Sequence, residues 1–167
     1  KFLEIFCKIV QPERVLEIGT FTGYSAICMA RGLTDKGELI SIDSNDELAE
    51  ISSKYIQEAK LDNKIVLLFS NALEIIPELP GYFDLIFIDG AKEEYPDYFH
   101  MIKDKLSPGG IVIADNVLWE GKVFEHQSTK DKKTIAIHKF NELVNSDKNF
   151  ENVLLPFRDG LMIFRKK

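Results

Sequence analysis

The stretch Phe83-Asp84-Leu85-Ile86-Phe87-Ile88-Asp89-Gly90-Ala91-Lys92 restricts the fold more than any other. Leu85 to Ile88 are apolar without alternation, which suits a strand covered on both faces. The run ends in a carboxylate, and a lysine follows three residues later. A second apolar run, Gly110-Ile111-Val112-Ile113-Ala114, ends in Asp115-Asn116. Two neighbouring parallel strands would bring Asp89, Lys92, Asp115 and Asn116 to one edge of a sheet.

Such a sheet needs helices on both sides, and the rest of the chain offers them. Phe2, Leu3, Ile5, Phe6, Ile9 and Val10 have helical spacing, and Pro12 ends that helix. Strands are expected at 14–19, 38–43, 65–69, 83–89 and 110–114. Between them the pattern predicts a helix over 24–33, capped by Thr20 or Thr22. A second, capped by Ser44-Asn45, carries Leu48, Ile51, Tyr55, Ile56 and Ala59 on one face. Helices follow at 72–79 and at about 95–106, the latter stopped by Ser107-Pro108-Gly109-Gly110. Residues 117–130 read as a loop and 134–144 as a helix. Residues 150–157 and 161–165 read as strands joined by Arg158-Asp159-Gly160. Asp-Gly is a hairpin signal, so the last strand should run antiparallel. Strands alternating with helices imply a parallel sheet with right-handed crossovers. No repeat or linker divides residues 1–167, which read as a single domain.

Composition narrows the class. Apolar residues make up 45% and charged residues 29%, an ordinary globular balance. No apolar run approaches the roughly 20 residues that span a bilayer, so no membrane partner is expected. The net charge of −6 does not favour nucleic acid, although Lys130, Lys132 and Lys133 form a local basic cluster around Asp131. Cys7 and Cys28 lack metal spacing and read as reduced, buried thiols of a cytoplasmic protein.

In open α/β sheets, ligands bind beyond the carboxyl ends of the strands. The first such turn is Glu17-Ile18-Gly19-Thr20-Phe21-Thr22-Gly23-Tyr24-Ser25. Gly19 allows a tight turn and close ligand approach, and Gly23 allows close packing where the helix starts. The spacing is Gly-x-x-x-Gly, not the Gly-x-Gly-x-x-Gly that holds a pyrophosphate on a helix N-terminus. Glu17 would repel a pyrophosphate and suit a cationic ligand. Asp43 ends the second strand, where an acid hydrogen-bonds ribose hydroxyls. A ribose plus a positive group, without phosphate, fits S-adenosylmethionine. Glu17 as a surface acid and the glycines as plain turns is the bland alternative.

Three motifs together resemble the catechol and caffeoyl-CoA O-methyltransferase family. They are Leu16-Glu17-Ile18-Gly19-Thr20 with Gly23-Tyr24-Ser25, Ile88-Asp89-Gly90-Ala91-Lys92 with Tyr95, and Asp115-Asn116-Val117-Leu118-Trp119-Glu120-Gly121. The resemblance runs from about residue 12 to the end. It implies a Rossmann-like, three-layer α/β/α methyltransferase fold, with a mostly parallel seven-stranded sheet whose last strand is antiparallel. It implies S-adenosylmethionine as cofactor and a homodimer. It also implies that the family's N-terminal helices, which cover the cofactor, precede residue 1. Glu17, Gly19, Gly23 and Asp43 would border the cofactor, with Ala72 on the adenine side. Thr20 and Ser25 would lie near its methionine part, and Tyr24 would wall that pocket.

Asp89, Asp115 and Asn116 supply hard oxygen donors, which favour Mg²⁺, or a similar ion such as Ca²⁺ or Mn²⁺, over zinc. On spacing alone they read equally well as strand-end acids and a turn opener. The resemblance implies that they are metal ligands, with Asp89 also touching the cofactor's amino group. Lys92 is the proposed general base. A free lysine is mostly protonated at neutral pH, but partial burial and a nearby divalent cation both disfavour the ammonium. Without the motif, Lys92 is a solvated helix-start lysine.

Two departures bear on substrate. Ala91 stands where plant caffeoyl-CoA enzymes have an acid, and Glu120 where they have an asparagine that touches substrate. Both argue against caffeoyl-CoA, and the net acidity favours a small hydroxylated aromatic over tRNA as acceptor. The alternatives are a hydroxylated tRNA uridine as acceptor, a nicotinamide-dependent oxidoreductase, and a non-catalytic binding module. The missing Gly-x-Gly and the presence of Glu17 weigh against the oxidoreductase. His100, His126 and His138 have no ligand-spaced partners and read as structural or solvated. Trp119 reads equally as a stacking platform and a loop anchor. Asp159-Gly160 is accounted for by the hairpin turn.

Overall fold

The apolar runs become strands of one sheet. The computed structural model describes residues 1–125 and 129–167; His126 lies outside the described residues. In chain order the elements are α1 (Phe2–Val10), β1 (Arg14–Ile18), α2 (Tyr24–Ala30), β2 (Glu38–Asp43), α3 (Ala49–Glu58), β3 (Ile65–Phe69) and α4 (Ala72–Glu78). They continue as β4 (Phe83–Ile88), α5 (Tyr95–Ile102), β5 (Leu106–Asp115), α6 (Lys132–Ser146), β6 (Phe150–Leu155) and β7 (Leu161–Lys166). The seven-stranded sheet has the order β3-β2-β1-β4-β5-β7-β6. Six strands point one way; β7 pairs antiparallel with both β5 and β6. The chain leaves β1 towards β2 and β3, then returns to place β4 on the other side of β1. That reversal opens a crevice at the carboxyl ends of β1 and β4, where an α/β sheet binds its ligand.

β4 shows why the sheet needs two helical layers. Its side chains alternate between two separate apolar cores. Leu85 and Phe87 enter the one that holds Cys7, Ala26, Met29 and Ile56 from α1, α2 and α3. Ile86 and Ile88 enter the other, with Ile76, Phe99, Ile102 and Phe140 from α4, α5 and α6. Tyr95, at the start of α5, packs edge-on against Phe140 with ring centroids 5.2 Å apart. Phe99, Phe150 and Phe164 extend this aromatic cluster. One end of it thus fixes a residue beside the strand-end carboxylates. Both cysteines are buried and unpaired, and burial pushes the Cys7 thiol up to about 12.

Several boundaries differ from expectation, for local reasons. The fifth helix-to-strand junction is earlier: α5 stops at Ile102, and Leu106 already pairs with Phe83. The register then shifts, so that Leu85 pairs with Ile111, and Ser107-Pro108-Gly109-Gly110 forms a bulge inside β5 instead of a connector. Asp84 secures this corner. Its Oδ1 accepts from Ser107 Oγ (3.0 Å), and its Oδ2 accepts from the backbone N–H groups of Glu13 and Arg14. α2 ends at Ala30, three residues early, and neither Thr20 nor Thr22 caps it; the N-cap is Gly23. Asn45 caps a short 3₁₀ turn, Asp46–Leu48, ahead of α3. The stretch expected as loop contains 3₁₀ turns over Trp119–Glu125. Among the described residues, no helix is long and apolar enough to cross a membrane.

Candidate active site

A cleft of ≈ 660 Å³ lies over the carboxyl ends of β1, β2 and β4. Gly19, Thr20, Tyr24, Ser25, Asp43, Ala72, Asp89 and Asp115 all line it, so most of the residues expected to border a cofactor converge there. The turn after β1 is held from both sides. The Gly19 N–H donates to Ile42 O, and the Asp89 N–H donates to Ile18 O, each at 2.8 Å. Gly19 has φ +102°, and a Cβ on it would stand 2.5 Å from Asp89 O. Only glycine fits that conformation and that approach. Gly23 differs from expectation. A Cβ there would meet Ile56 at an ordinary 3.6 Å, so its φ of +83°, and not close packing, is what requires glycine.

Asp43 braces the same turn. Its Oδ2 accepts from the Phe21 N–H (2.7 Å) and its Oδ1 from the Asn45 N–H (2.9 Å). Each carboxylate oxygen has a second lone pair with which to accept from a ligand. Glu17 is placed otherwise than expected. It is fully buried and sits beneath the cleft instead of lining it. Ser41 donates to Glu17 Oε2, which leaves Thr20 Oγ1 as the donor to Ser41 Oγ at 2.5 Å. Burial pushes the Glu17 carboxyl up to about 7, against the pull of the Ser25 and Ser41 hydroxyls. Its Oε1 is buried, with the Ser25 hydroxyl close enough to pull on the carboxyl but not aligned as a hydrogen bond. Thr20 therefore turns its hydroxyl inward, and Tyr24, 72% exposed, stands at the rim and not in a closed wall.

At the edge of the cleft the second set of residues comes together. Ile88 pairs with Ala114, so Asp89 and Asp115 are the next residues on adjacent strands, about 4.8 Å apart in the pairing direction. Lys92 Nζ donates to Asp89 Oδ1 at 2.8 Å and to the Tyr95 hydroxyl at 2.9 Å. The Lys92 side chain is 11% exposed, so it is shielded from solvent where it meets Asp89. Tyr95 donates in turn to Asp115 O at 2.9 Å. Burial, then the neighbouring Asp89, push the Asp115 carboxyl up, while the Asn116 N–H, donating to Asp115 Oδ1 at 2.7 Å, pulls it down. Asn116 Nδ2 donates to Asp159 Oδ2 at 3.3 Å. Asp89 and Asp115 thus line the cleft, and the Lys92 ammonium and Asn116 lie next to these two carboxylates, outside the lining itself.

The whole chain, residues 1–167, matches the O-methyltransferase family. The chain belongs to that family. A catechol O-methyltransferase from Niastella koreensis is 34% identical over 159 residues, which cover 93% of this chain and 72% of the relative. Caffeoyl-CoA O-methyltransferase 1 from Eucalyptus globulus is 31% identical across 99% of this chain and 72% of its own length. The O-methyltransferase from Bacillus cereus, crystallised in complex with SAH, superposes with a TM-score of 0.95 at 30% identity, covering 99% of this chain and 79% of that one. TomG from Streptomyces achromogenes, an O-methyltransferase crystallised with SAM, gives 0.92 at 28% identity, over 99% and 78% of the two chains.

This O-methyltransferase has residues around the site that the sequence did not single out for a role. Phe21, Asn71, Glu94 and Tyr98 line the cleft, and Tyr98 donates to Glu94 Oε2 at 2.5 Å. The i, i+3 spacing of Lys92 and Tyr95 places both on one side of the turn into α5, a signal available from sequence. Asp159 had no such signal, because its partners are 39 and 43 residues away. Trp119 packs, partly buried, against the larger core. His100 is exposed on α5, and His138 Nε2 lies 3.4 Å from Glu142.

Proposed function

We propose that this O-methyltransferase moves the methyl group of S-adenosylmethionine to a hydroxyl of a catechol-like aromatic, using a divalent cation such as Mg²⁺. The observation that carries the reading is the shared edge of Asp89, Asp115, Asn116 and Lys92 beside the cleft. The residues suit both groups. A cleft with a backbone approach that excludes even a Cβ, Asp43 for ribose hydroxyls, and buried Ala72 fits a nucleoside without phosphates.

The donor set suits a hard cation. Among the described residues no three His, Cys, Asp or Glu side chains converge as a cage. The set here is two carboxylates and one amide. Asp89 Oδ1, Asp115 Oδ1 and Asn116 Nδ2 are engaged within the protein, which leaves one oxygen on each of the three residues to face a metal. A cation held there would act as a Lewis acid on two vicinal hydroxyls and lower the pKa of the one it binds. Lys92, as its neutral amine, would take the hydroxyl proton and become the ammonium that pairs with Asp89, Tyr95 would hold that nitrogen in place, and the cleft would align the acceptor oxygen with the methyl carbon. A placed base of this kind contributes about 10²–10⁴ in rate. The chain acts as one methyltransferase domain, in the cytoplasm, where its buried free thiols are stable. The homodimer rests on family resemblance.

A small acceptor suits the surface better than tRNA. Lys122 is paired with Glu120 at 2.6 Å, and Asp131, the N-cap of α6, interrupts Lys130, Lys132 and Lys133. Labelled S-adenosylmethionine offered with a dihydroxyphenol, caffeoyl-CoA or bulk tRNA, each with Mg²⁺ or with EDTA, tests the proposal. Label should enter the dihydroxyphenol only when metal is present. Label in tRNA alone would favour the nucleic-acid acceptor, and undiminished transfer in EDTA would remove the metal.

A further inference from the structure

The turn between β6 and β7 does more than reverse the chain. Asp159 sits on it and reaches the segment that follows β5. Its Oδ2 accepts from Asn116 Nδ2 at 3.3 Å, and its Oδ1 accepts from the Glu120 N–H at 2.5 Å. Two backbone bonds run alongside: Val117 N–H to Gly160 O at 3.2 Å and Leu118 N–H to Asp159 O at 2.9 Å. The turn lies so close that a Cβ on Gly160 would stand 2.6 Å from Leu118 Cγ. The segment it clasps is unusual. Asn116, Trp119 and Glu120 have φ of +60°, +49° and +54°, a region that side-chain-bearing residues seldom occupy. Backbone of this kind persists where its surroundings over-determine it.

We propose that Asp159 is a positioning residue that sets which end of the Asn116 amide faces the carboxylates of Asp89 and Asp115. A carboxylate only accepts hydrogen bonds, and of the two ends of an amide only the NH₂ donates. Asp159 therefore holds Nδ2 on its own side and leaves Oδ1, the other end of the amide, free to serve the metal with Asp89 and Asp115. Without that partner the amide is free to rotate, and half of its orientations offer an NH₂ group to a cation. The Glu120 bond fixes the carboxylate itself, so it cannot follow Asn116 if the amide turns. This role rests on the metal reading above, and it assigns Asp159 a part that the hairpin alone does not require.

The test is an exchange of donor and acceptor. In Asp159→Asn, one amide must serve two donors. Its oxygen can accept from the Glu120 N–H, but its NH₂ then meets the NH₂ of Asn116, which relieves the clash by turning its oxygen away from the metal side. Mn²⁺ affinity, measured by calorimetry, should fall about 10–100-fold, the range for loss of an outer partner of a metal ligand. The double variant Asn116→Asp with Asp159→Asn swaps the two groups. The amide on the hairpin turn then donates to one oxygen of the carboxylate after β5 and leaves the other oxygen for the metal, with total charge unchanged. Most of the lost affinity should return. SAH affinity and melting temperature serve as controls for general damage. Equal Mn²⁺ affinity in Asp159→Asn and the unaltered chain overturns the assignment, as does a double variant no tighter than the single one. Parallel loss of SAH and Mn²⁺ binding in Asp159→Asn marks a purely structural residue and overturns it too. An unaltered chain that binds SAH but no Mn²⁺ overturns the metal reading itself, and the role of Asp159 with it.

Discussion

Lys92 Nζ and Asp89 Oδ1 form an ion pair of 2.8 Å at the lip of the cleft, with the lysine the more buried of the two. The two residues nevertheless face different tasks. Asp89 lines the cleft and contributes the carbonyl that approaches Gly19, whereas Lys92 does not border it. Asp89→Ala should therefore weaken SAH binding by about tenfold or more, the cost of one hydrogen bond to a charged group. Lys92→Ala should leave SAH affinity unchanged and lower kcat/KM by about 10²–10⁴. Calorimetry with SAH on both variants separates the roles. Equal losses of affinity would mean that the pair acts as one structural unit.

Tyr95 links that pair to β5. It is fully buried, and its hydroxyl donates to Asp115 O while accepting from Lys92. Burial holds its phenol well above its ordinary range, so it remains a donor across the working pH. Tyr95→Phe keeps the ring contact with Phe140 and removes only the hydroxyl. The loss leaves a buried carbonyl short of a donor and should cost about 1–3 kcal/mol, seen as a melting temperature lowered by roughly 3–10 °C. Turnover should fall while SAH affinity holds. An unchanged melting temperature would show that water replaces the hydroxyl and that Tyr95 does not brace the site.

The turn after β1 allows a sharper test. Gly19→Ala would add a Cβ 2.5 Å from Asp89 O in a backbone conformation of φ +102°. Neither neighbour can yield, since Gly19 and Asp89 each hydrogen-bond across the sheet ends. The expected result is a loss of about 3 kcal/mol or more, in the range of strained-backbone and overpacking changes. SAH binding should disappear with it. Retained SAH affinity in Gly19→Ala, measured by fluorescence or calorimetry, would show that the turn relaxes.

What could be read from sequence was whatever local pattern encodes. The uninterrupted Leu85-Ile86-Phe87-Ile88 run implied cover on both faces, and the two cores it feeds are the result. Strand-end acids at Asp43, Asp89 and Asp115 follow from the same reading. Long-range partners were not legible. The burial of Glu17 was not legible because nothing nearby in sequence reveals Ser41, 24 residues on, which donates to it. The end of α5 was misjudged because a buried Leu106 serves a helix turn and a strand start equally well by period. Asp159 was fully explained as a turn residue until its two partners across the chain came into view.

The buried Glu17 gives a pH dependence whose sign is fixed by its surroundings. Its carboxyl is raised from 4.5 to about 7 in the folded chain, first by burial. Between those values the folded state holds a proton that the unfolded chain has released. Stability is therefore full below the lower value, falls as pH rises towards about 7, and stays reduced above it. The shift corresponds to on the order of 3 kcal/mol, as an upper bound. Glu17→Gln cannot ionise and lacks this decline. It keeps an oxygen for Ser41, and its NH₂ takes the place of Oε1 beside the Ser25 hydroxyl, which can accept from it. Urea unfolding of both proteins from about pH 5 to about pH 8 should show the variant gaining on the unaltered chain by about 2–3 kcal/mol across the range. Other titrating groups cancel in that difference. A constant gap between the two curves would mean that Glu17 is already ionised when folded, and that the Ser25 and Ser41 hydroxyls outweigh its burial.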